Sequence, residues 1–596
     1  MKDKTIAVLP FVNISSDAEN EYFSDGITEE IINALAKIGS LKVTSRTSAF
    51  HFKGKNIPMP QIGKELGVST LLEGSVRLAG NAMRITAQLI DAKDDFHFWS
   101  ETWDRKLDNI FEVQDEVSQL IADHLREHFG HFEIQEHLVD HKTESLDAYT
   151  LFLKARFHMN KWNPDSVKQS IEYYEETLRL DPQHAEAMVG MADAYSFLST
   201  TGVISYEEGW DKSAQLTQQA LSINPQLPAA YYQLANMAFF TAFDFKEAYA
   251  MATKAIALNP SHVESQQFLS FLNVLSGKKE SAQKHLDIAV QIDPLSQETQ
   301  FYNAYFHYMF EEYATSLQQL NKGLKANPLN IPCHYVKTLC LLKMERFDEV
   351  INYFDDLPYQ VIVLGEKTGS LTLAHTLTGN QTEAARYTEE LKSQAAGENG
   401  FTADSYLYLL YGATKQNDKL FEWVENGLNT GSPLLLLRYA DPLVNAVKDD
   451  PRYMHYHKQL FPEDAFIAIP RKSAKKALLD EQAIVQYKGQ LLHHIEIEKA
   501  HLNPDLTLRS LADELGIHPN QLSWLLNDVF GKNFNEFINH YRVDAFKKLA
   551  RDPKYAHLTI LAIAYDCGFN SKTVFNTFFK KETGMTPKAY LKENGA

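Results

Sequence analysis

The spacing of hydrophobic residues takes three forms along the chain, and each form predicts a different kind of domain. From Thr5 to about Asp104, short runs alternate between hydrophobic and polar residues, which predicts β-strands. From Leu146 to about Phe461, hydrophobic residues recur every three or four positions through a long series of helices. Shorter helices with the same spacing follow Glu481. The pattern predicts a multidomain protein with one α/β domain followed by two all-α regions.

The N-terminal region alternates strands with helices. TIAVLPF, LKVTSR and FHFWSETWDR are predicted to be strands, and two more strands flank a turn at Gly80 and Asn81. Helices are predicted at about 27–38, over MPQIGKELG and at 110–125. This order favours one compact α/β domain over residues 1–130.

Prolines preceded by Asp or Asn mark a repeat in the middle region. They are Pro182, Pro225, Pro260, Pro294 and Pro328, and the last three intervals between them are 35, 34 and 34 residues. The residues twelve and five positions before each proline are small, as close packing of two helices requires. These residues are Ser170, Thr177, Ser213, Ala220, Ala248, Ala255, Ala282, Ala289, Ser316 and Gly323. The region resembles tetratricopeptide repeats, which predicts an all-α solenoid over residues 145–461.

Two short pairs of amphipathic helices near the C-terminus predict two helix-turn-helix units. In the first unit, a helix capped by Thr507 ends at Gly516, and the next helix begins at Pro519. In the second unit, the turn is at Gly568, and Asn570 or Ser571 caps the next helix.

The second helix of each unit carries polar side chains that suit the major groove of DNA. In the first unit these residues are Asn520, Gln521, Ser523, Trp524 and Asn527. In the second unit they are Ser571, Lys572, Thr573, Asn576 and Thr577. Together they are the candidate DNA-binding residues.

A longer helix connects the two units and ends at Asp552 and Pro553. Its apolar stripe extends from Phe534 to Leu549. At about 1.5 Å per residue, the helix is long enough to set the two reading helices about 34 Å apart, which is one turn of DNA. One chain is therefore expected to enter two successive major grooves of double-stranded DNA.

The C-terminal region resembles the DNA-binding domain of AraC/XylS-type transcription regulators. The resemblance is carried by I-A-x-x-x-G-F from Ile563 and by F-x-x-x-F-K-K-x-x-G-x-T-P from Phe575. It implies an all-α double helix-turn-helix domain over residues 481–596. It also implies that Asn520, Ser523 and Trp524 of the first unit approach bases. In the second unit it implies the same for Lys572, Thr573, Asn576 and Thr577. The alternative is a helical bundle that only packs against the rest of the chain.

Two departures from the family pattern weaken the first unit as a phosphate binder. His518 stands where many relatives have a capping serine, and Trp524 stands where a basic residue is common. Phosphate contacts are therefore expected from the second unit and from neighbouring cations. These cations are Lys532, Arg542, Lys547 and Lys548.

The N-terminal region resembles the TolB-like domain that precedes helical repeats in some bacterial regulators and some nucleotide cyclase chains. The segments that carry the resemblance are AVLPF-x-N-x-S-x-D, EYFSDGITEE, LGV-x-x-LLEGSVR, RITAQLID and LDNIFEVQDEV. The resemblance implies no defined chemistry, so the role of the domain stays open.

The charge of the chain is unevenly distributed. The formal net charge is -19, but from Arg471 onward 18 Lys and Arg residues face 14 Asp and Glu residues, a local +4, which leaves -23 for the remainder. The basic part coincides with the proposed DNA-binding domain. A linker is predicted over residues 462–480, and its basic cluster could contact DNA phosphates or only solvent. The cluster consists of Arg471, Lys472, Lys475 and Lys476.

Metal, disulfide and membrane sites are not predicted, and no cofactor is expected. His124 and His128 have the spacing of a zinc pair, but Leu125 stands at the position where metalloprotease helices carry their acidic general base, so we interpret the two histidines as part of a polar helix face. Three cysteines form no disulfide framework, which fits a reducing compartment. The chain starts directly with a strand, and its apolar runs are too short to span a bilayer, so a cytoplasmic protein is expected.

Together these features predict a sequence-specific DNA-binding transcription regulator that is not an enzyme. Its N-terminal and repeat domains are expected to sense a small-molecule effector or a peptide or protein partner. Activation is the commoner outcome in the resembled family, and a homodimer is compatible with it. The alternative is a tetratricopeptide interaction scaffold that uses its C-terminal domain only as a DNA tether. A signalling enzyme is the third hypothesis, suggested only by the cyclase chains that share the N-terminal domain.

Overall fold

The computed structural model describes residues 4–15, 17, 20–107, 110–135, 138, 139, 143, 145–161, 164–200, 203–363, 365–397, 400–466 and 478–593. The chain forms two compact units. The first unit combines Met1–Val43, Phe52–His141 and Lys472–Ala596, so it holds the N-terminal domain and the C-terminal domain. The second unit combines Thr44–His51 and Lys142–Arg471 and holds the repeats. The predicted domain boundaries stay predictions, and the basic cluster of the predicted linker lies outside the described residues.

The N-terminal domain is built on one mixed sheet. Its strands are β1 (Thr5–Val8), β2 (Val12–Asn13), β3 (Lys42–Val43), β4 (Thr70–Ala79), β5 (Ala82–Asp91) and β6 (Phe96–Lys106). The order is β3-β1-β4-β5-β6, with β2 also paired to β4. β1 runs parallel to β3 and β4, whereas β4, β5 and β6 form an antiparallel meander. The predicted turn at Gly80 and Asn81 is confirmed.

Three helices of the first unit accompany this sheet: α1 (Glu21–Ala36), α3 (Met59–Leu66) and α4 (Ile110–Phe129). α1 begins earlier than predicted, because Phe23, Ile27 and Ile31 form one buried stripe that extends a full turn before the expected start. α4 continues to Phe129, beyond its predicted end at 125.

The predicted strand LKVTSR is mostly wrong. Only Lys42–Val43 pairs in the sheet, and the chain then turns into α2 (Arg46–Phe50), which belongs to the second unit. The side chain of Ser45 caps α2 by accepting a hydrogen bond from the backbone N–H of Ser48 at 3.2 Å. A capping serine favours a helix start over a continued strand.

The second unit is otherwise a series of packed helices. The helices up to the last proline of the repeat are α5 (Leu146–Met159), α6 (Pro164–Leu180), α7 (Ala185–Thr200), α8 (Tyr206–Ile223), α9 (Pro228–Phe240), α10 (Phe245–Leu258), α11 (Val263–Leu275), α12 (Lys279–Ile292), α13 (Gln297–Met309) and α14 (Tyr313–Ala326). The remaining helices are α15 (Ile331–Lys343), α16 (Phe347–Asn352), α17 (Glu366–Leu377), α18 (Gln381–Ala395), α19 (Phe401–Ala413), α20 (Asn417–Thr430), α21 (Pro433–Arg438) and α22 (Pro451–Leu460).

The predicted helical repeat is confirmed by how these helices pair. α5 packs against α6, α7 against α8, α9 against α10, α11 against α12 and α13 against α14. Each marker proline lies between one pair and the next. The ten small residues at the predicted positions are all buried. Short side chains let the paired helices approach closely, so the repeat follows from packing.

The C-terminal domain of the first unit is all-helical. Its helices are α23 (Glu481–Glu496), α24 (Leu508–Leu515), α25 (Pro519–Trp524), α26 (Phe534–Leu549), α27 (Ile560–Asp566), α28 (Lys572–Thr583) and α29 (Pro587–Glu593). One hydrophobic core joins α23, α24 and α25 to the first half of α26, and another joins the second half of α26 to α27 and α28. The predicted connecting helix is present as α26, and it packs in the cores of both helix-turn-helix units.

The three cysteines are free and buried. Cys333 and Cys340 both lie in α15, where helical spacing holds them too far apart for a disulfide. Burial raises the pKa of the Cys340 thiol to about 12. Within the described ranges, no helix combines the length and the apolar character needed to cross a membrane.

Candidate nucleic-acid interface

Side-chain caps fix the turn of the first helix-turn-helix unit. Thr507 caps α24, and its Oγ1 accepts a hydrogen bond from the backbone N–H of Ser510 at 3.1 Å. Gly516 ends α24 with a φ of 67°, a conformation that favours glycine. His518 caps α25 by accepting a hydrogen bond from the backbone N–H of Asn520 at 3.1 Å. The predicted turn is confirmed, and the imidazole caps the helix where many relatives use serine.

The second helix of this unit changes its winding after one and a half turns. α25 is followed by a π-helical turn over Leu525–Val529. Leu522, Leu525 and Leu526 are fully buried, whereas Val529 is only half-buried. The wider turn separates Asn527 from the regular part of the helix, which holds the other candidate residues of this unit.

Asn520 is held by one residue of α4 and by one residue of the segment that follows α4. Its Oδ1 accepts hydrogen bonds from the Arg126 guanidinium at 2.5 Å and from the backbone N–H of Ile134 at 3.2 Å. Its Nδ2 donates to the carbonyl oxygen of Ile134 at 3.1 Å. The amide that would pair with a base is therefore satisfied within the protein.

The same segment approaches the other end of the reading face. A Cβ placed on Gly130 would lie 2.5 Å from Asn527 Oδ1. Ser523 lies between Asn520 and Asn527 along the helix and is only 2% exposed. Ser523 is therefore inaccessible in this arrangement, in which the segment after α4 also contacts Asn520 on the same helix.

Gln521 and Trp524 are half-buried. Gln521 Oε1 accepts a hydrogen bond from the backbone N–H of His518 at 3.1 Å, and its Nε2 donates to the carbonyl oxygen of Leu478 at 3.4 Å. Trp524 packs against the hydrophobic core that α23, α24 and α25 form with the first half of α26. Both side chains thus contribute to the local fold.

Two carboxylates of α4 contact the start of α24. Glu127 Oε1 accepts a hydrogen bond from the backbone N–H of Leu508 at 2.7 Å. Asp123 Oδ2 accepts one from Arg509 Nε at 3.0 Å, and Asp123 Oδ1 accepts one from Arg126 at 2.6 Å. The Asp123 and Arg126 side chains are 9% and 2% exposed. Burial lowers the pKa of Arg126, while the two carboxylates act in the opposite direction.

The two histidines of α4 pack against rings and a carboxylate. His124 Nδ1 lies 3.1 Å from Glu127 Oε2, and the His128 ring stacks on Phe98 with 4.3 Å between centroids. The carbonyl oxygen of His128 accepts a hydrogen bond from Asn533 Nδ2 at 3.1 Å. In the parts of the chain that the structure describes, no group of three His, Cys, Asp or Glu side chains is placed to hold a metal ion.

The reading helix of the second unit is arranged differently. Ser571 caps α28, and its Oγ accepts a hydrogen bond from the backbone N–H of Val574 at 3.5 Å. Phe575 and Phe579 hold the helix on the second core. The other four candidate residues are exposed: Lys572, Thr573, Asn576 and Thr577. α28 therefore presents an open polar face.

The expected phosphate contact of Arg542 is wrong. Arg542 is 8% exposed, and it donates hydrogen bonds to the carbonyl oxygens of His501 and Asn503, both at 2.7 Å. Burial lowers its pKa to about 10. Arg542 is a structural residue that fastens the loop before α24 to α26. Lys547 forms an ion pair with Asp544 at 3.2 Å.

Of the other predicted phosphate contacts, Lys532 is half-buried and Lys548 is exposed. Lys548 is therefore the most accessible of the four cations that the sequence suggested.

Three protein-family models match separate parts of the chain. A helix-turn-helix domain matches residues 511–593. The second domain of HilA/YgeH-like transcriptional regulators matches residues 2–120, and the anaphase-promoting complex, cyclosome, subunit 3 matches residues 275–357. The N-terminal match is to a regulator domain, and the resemblance to TolB stays a prediction.

Individual proteins match shorter parts of the chain. A protein named putative adenylate cyclase 3, from Rhizobium meliloti (strain 1021), is 37% identical over 239 residues, which are 39% of this chain and 39% of that protein. An uncharacterized HTH-type transcriptional regulator of Escherichia coli (strain K12), YijO, is 34% identical over 88 residues, 15% of this chain and 30% of that protein. The chain thus spans well under half the length of these relatives.

A tetratricopeptide repeat protein of known structure from Parabacteroides merdae ATCC 43184 aligns with 44% of this chain and 98% of its own. The identity is 12% and the TM-score is 0.31. For the C-terminal region, the family match over residues 511–593 and the geometry of α24–α28 agree. This part of the chain is an AraC-type helix-turn-helix domain.

Proposed function

We propose that this protein is a sequence-specific transcription regulator that binds double-stranded DNA. The observation that carries the proposal is the open face of α28, which follows a capped helix-turn-helix turn. Asn576 can pair with adenine, the hydroxyls of Thr573 and Thr577 can contact base edges, and Lys572 can contact bases or phosphates. Relatives that are named HTH-type transcriptional regulators support the proposal.

The N-terminal and repeat domains are proposed to sense a ligand or a protein partner. The contacts between α4 and the first helix-turn-helix unit support this mechanism, because they join the N-terminal domain to that unit. An effector that binds one arrangement more tightly than another would shift the exposure of that helix. Activation of transcription is the outcome that we expect.

The name of the cyclase relative is not evidence that this chain has an enzymatic activity. The match covers 39% of each protein, and both carry regions outside it. The family models that match the two ends of this chain describe regulators and a helix-turn-helix domain. We therefore propose regulation of transcription and no cyclase reaction.

For the repeats we propose a protein segment with a basic side chain, most simply an arginine, as the partner. Glu264 and Glu298 each stand four residues after a marker proline, so they occupy equivalent positions in adjacent repeats. Asp193, on α7, accepts a hydrogen bond from Gln233 Nε2 at 2.8 Å. These acidic groups lie on the first helices of three pairs, α7, α11 and α13, and Gln233 lies on α9 between them.

Two buried amides make this acidic cluster a candidate site. Gln233 and Gln267 are 3% and 2% exposed, and the Oε1 of each accepts no hydrogen bond from the described residues. The Nε2 of Gln233 donates to Asp193, so this amide lies beside the acidic groups. Carboxylate and amide oxygens only accept hydrogen bonds, and a guanidinium offers five donors in a planar fork. Tyr302, on the helix that carries Glu298, supplies a ring on which a guanidinium can stack.

The charge on Glu298 should make the repeat domain less stable at high pH. Burial, then repulsion from Glu264, Asp193 and Asp293, raises its pKa from 4.5 to about 8. The folded state therefore keeps a proton that the unfolded chain loses, and stability falls as the pH rises from 4.5 towards 8. We expect Glu298→Gln to stabilise the domain by about 1 to 2 kcal/mol at pH 8.5, a value reduced for partial exposure, and by little at pH 4.5.

Urea unfolding of the full chain at the two pH values would measure this difference. Glu280→Gln is the matched control, because Glu280 lies on α12 and is exposed. An equal effect of Glu298→Gln at both pH values would contradict the assigned burial of this charge.

The proposed function is tested by mapping DNA binding. Crosslinking and sequencing with the full-length protein should recover defined genomic sites, and footprinting on those sites should show bounded protection. Uniform weak protection would favour the scaffold hypothesis, in which the repeats are the working part and the C-terminal domain only tethers the complex. The absence of any bound DNA would exclude both hypotheses.

A further inference from the structure

The start of α24 has the chemistry of a phosphate site. The backbone N–H of Leu508 is one of the N–H groups that an α-helix leaves without an intrahelical partner, and Arg509 follows directly. A helix N-terminus beside an arginine attracts anions, and helix-turn-helix proteins contact the DNA backbone with their first helix. In this structure the two donors contact the carboxylates of Glu127 and Asp123.

We propose that Asp123 and Glu127 occupy the positions of two DNA phosphates, so that α4 and duplex DNA compete for the first helix-turn-helix unit. A carboxylate and a phosphate accept hydrogen bonds from the same donors with the same charge sign. The inference rests on the proposed function, because it assumes that the unit binds DNA when it is free.

The reading helix of the unit is covered together with its phosphate site. Arg126 and Ile134 use both polar atoms of the Asn520 amide, and Gly130 lies against Asn527. A base edge cannot reach Asn520 while these contacts persist. Because the acidic contacts and the covered amide belong to one continuous segment, α4 must leave both at once.

In the second helix-turn-helix unit, four candidate residues of α28 are not covered by another segment of the described chain. Lys572, Thr573, Asn576 and Thr577 are exposed in the same arrangement. The chain in this state is therefore expected to contact one major groove, through α28. Release of α4 would add the groove read by α25, about one helical turn away. The N-terminal domain thus sets how many grooves one chain reads.

Two variants of α4 test the competition without changing the DNA-binding domain. Asp123→Asn with Glu127→Gln removes the two phosphate-like charges and keeps the side-chain size. Arg126→Glu places a carboxylate opposite the Asn520 carbonyl oxygen and between two acidic neighbours. The control is Glu116→Gln, since Glu116 is also on α4 but pairs with Arg105 at 2.6 Å.

The measurements use the full chain and a genomic site found by crosslinking. We expect both α4 variants to bind this site about tenfold more tightly than the wild type, a coupling of ordinary size for two linked sites. Footprints should extend by about one helical turn. Without DNA, amide hydrogen exchange over α24 and α25 should be faster in both variants, whereas Glu116→Gln should match the wild type in every measurement.

The outcomes separate the inference from the proposed function. Wild-type affinity and footprint in variants whose exchange is faster would overturn the inference alone, since α4 would then leave without any gain in DNA binding. Wild-type exchange in Arg126→Glu would also overturn it, because α4 would not cover the unit in solution. A wild-type protein that already protects both grooves would do the same. No protected site in any form would overturn the proposed function, and the inference with it.

Discussion

Replacing Lys572 and Asn576 together with alanine is expected to weaken binding to a mapped genomic site by about 2 to 4 kcal/mol, or roughly 30- to 700-fold. Both side chains are exposed on α28. Asn576 can make two hydrogen bonds to one adenine, and loss of such a pair costs about 1 to 3 kcal/mol. Lys572 adds a charged contact to a base or phosphate.

The double variant should keep its fold. The α28 residues that hold the second core are Phe575 and Phe579, and neither is changed. The N-cap Ser571 also remains. Circular dichroism and the melting temperature should therefore match those of the wild type, while footprinting loses the bounded site.

The two single variants should change DNA binding in different ways. Lys572→Ala is expected to weaken binding to specific and non-specific DNA alike if the lysine contacts a phosphate, whereas Asn576→Ala should mainly reduce discrimination among sequences. Lys592→Ala, on α29, removes one exposed charge outside the reading helix and serves as the control. Unchanged affinity of the double variant would remove α28 as the reading helix.

Local sequence signals were sufficient for much of the C-terminal domain. Thr507 marks a helix start, Gly516 marks the end of that helix in a left-handed conformation, and Pro519 marks the start of the next helix; the structure has all three. Such signals act within a few residues, so they can be read without knowing the rest of the fold. The same holds for the repeats, where the period of the prolines and small residues fixed which helices pair.

Contacts between distant segments could not be predicted in this way. Asp123, Arg126 and Glu127 have the spacing of an ordinary charged helix face, and the nearby histidines gave the more conspicuous pattern. Their distant partners lie more than 380 positions away, at Leu508, Arg509 and Asn520. The predicted phosphate contact of Arg542 fails for the same reason. Its two carbonyl partners lie in a loop whose position cannot be predicted from the spacing of hydrophobic residues in helices. A charged residue on an amphipathic helix does not reveal whether it faces solvent, DNA or another domain.

The reading face of α25 shows what this limit means for function. The sequence predicts the residue types that a DNA-binding helix needs, and the family match covers most of the unit. The structure adds that Asn520 has protein partners in this arrangement and that Ser523 is buried. The sequence therefore predicts DNA contacts for both helix-turn-helix units alike. In the structure, the candidate residues of α28 are more accessible to DNA than those of α25.

Gly568→Ala is expected to have the largest effect on the stability of the C-terminal domain, about 2 to 4 kcal/mol. Gly568 has a φ of 88°, which strains any residue with a Cβ. A Cβ at this position would also lie 2.7 Å from the carbonyl oxygen of His501 and 2.8 Å from that of Leu502. These are backbone atoms, so the loop itself would have to move.

Movement of this loop would spread to α26. The carbonyl oxygen of His501 accepts a hydrogen bond from Arg542 at 2.7 Å, and Arg542 is buried. A displaced carbonyl would leave part of a buried guanidinium without its partner, which adds to the cost of the strain. This explains physically why the glycine of the I-A-x-x-x-G-F segment is needed here.

Gly516→Ala is the matched control for the strain alone. Gly516 has a similar φ of 67°, but an added Cβ would meet no atom within 4 Å. Its cost should be about 1 kcal/mol. Amide hydrogen exchange over α26–α28 measures the stability of this domain within the full chain. Equal losses of protection in the two variants would show that backbone strain alone determines the cost, and that close packing of the turn on the His501–Leu502 loop contributes nothing.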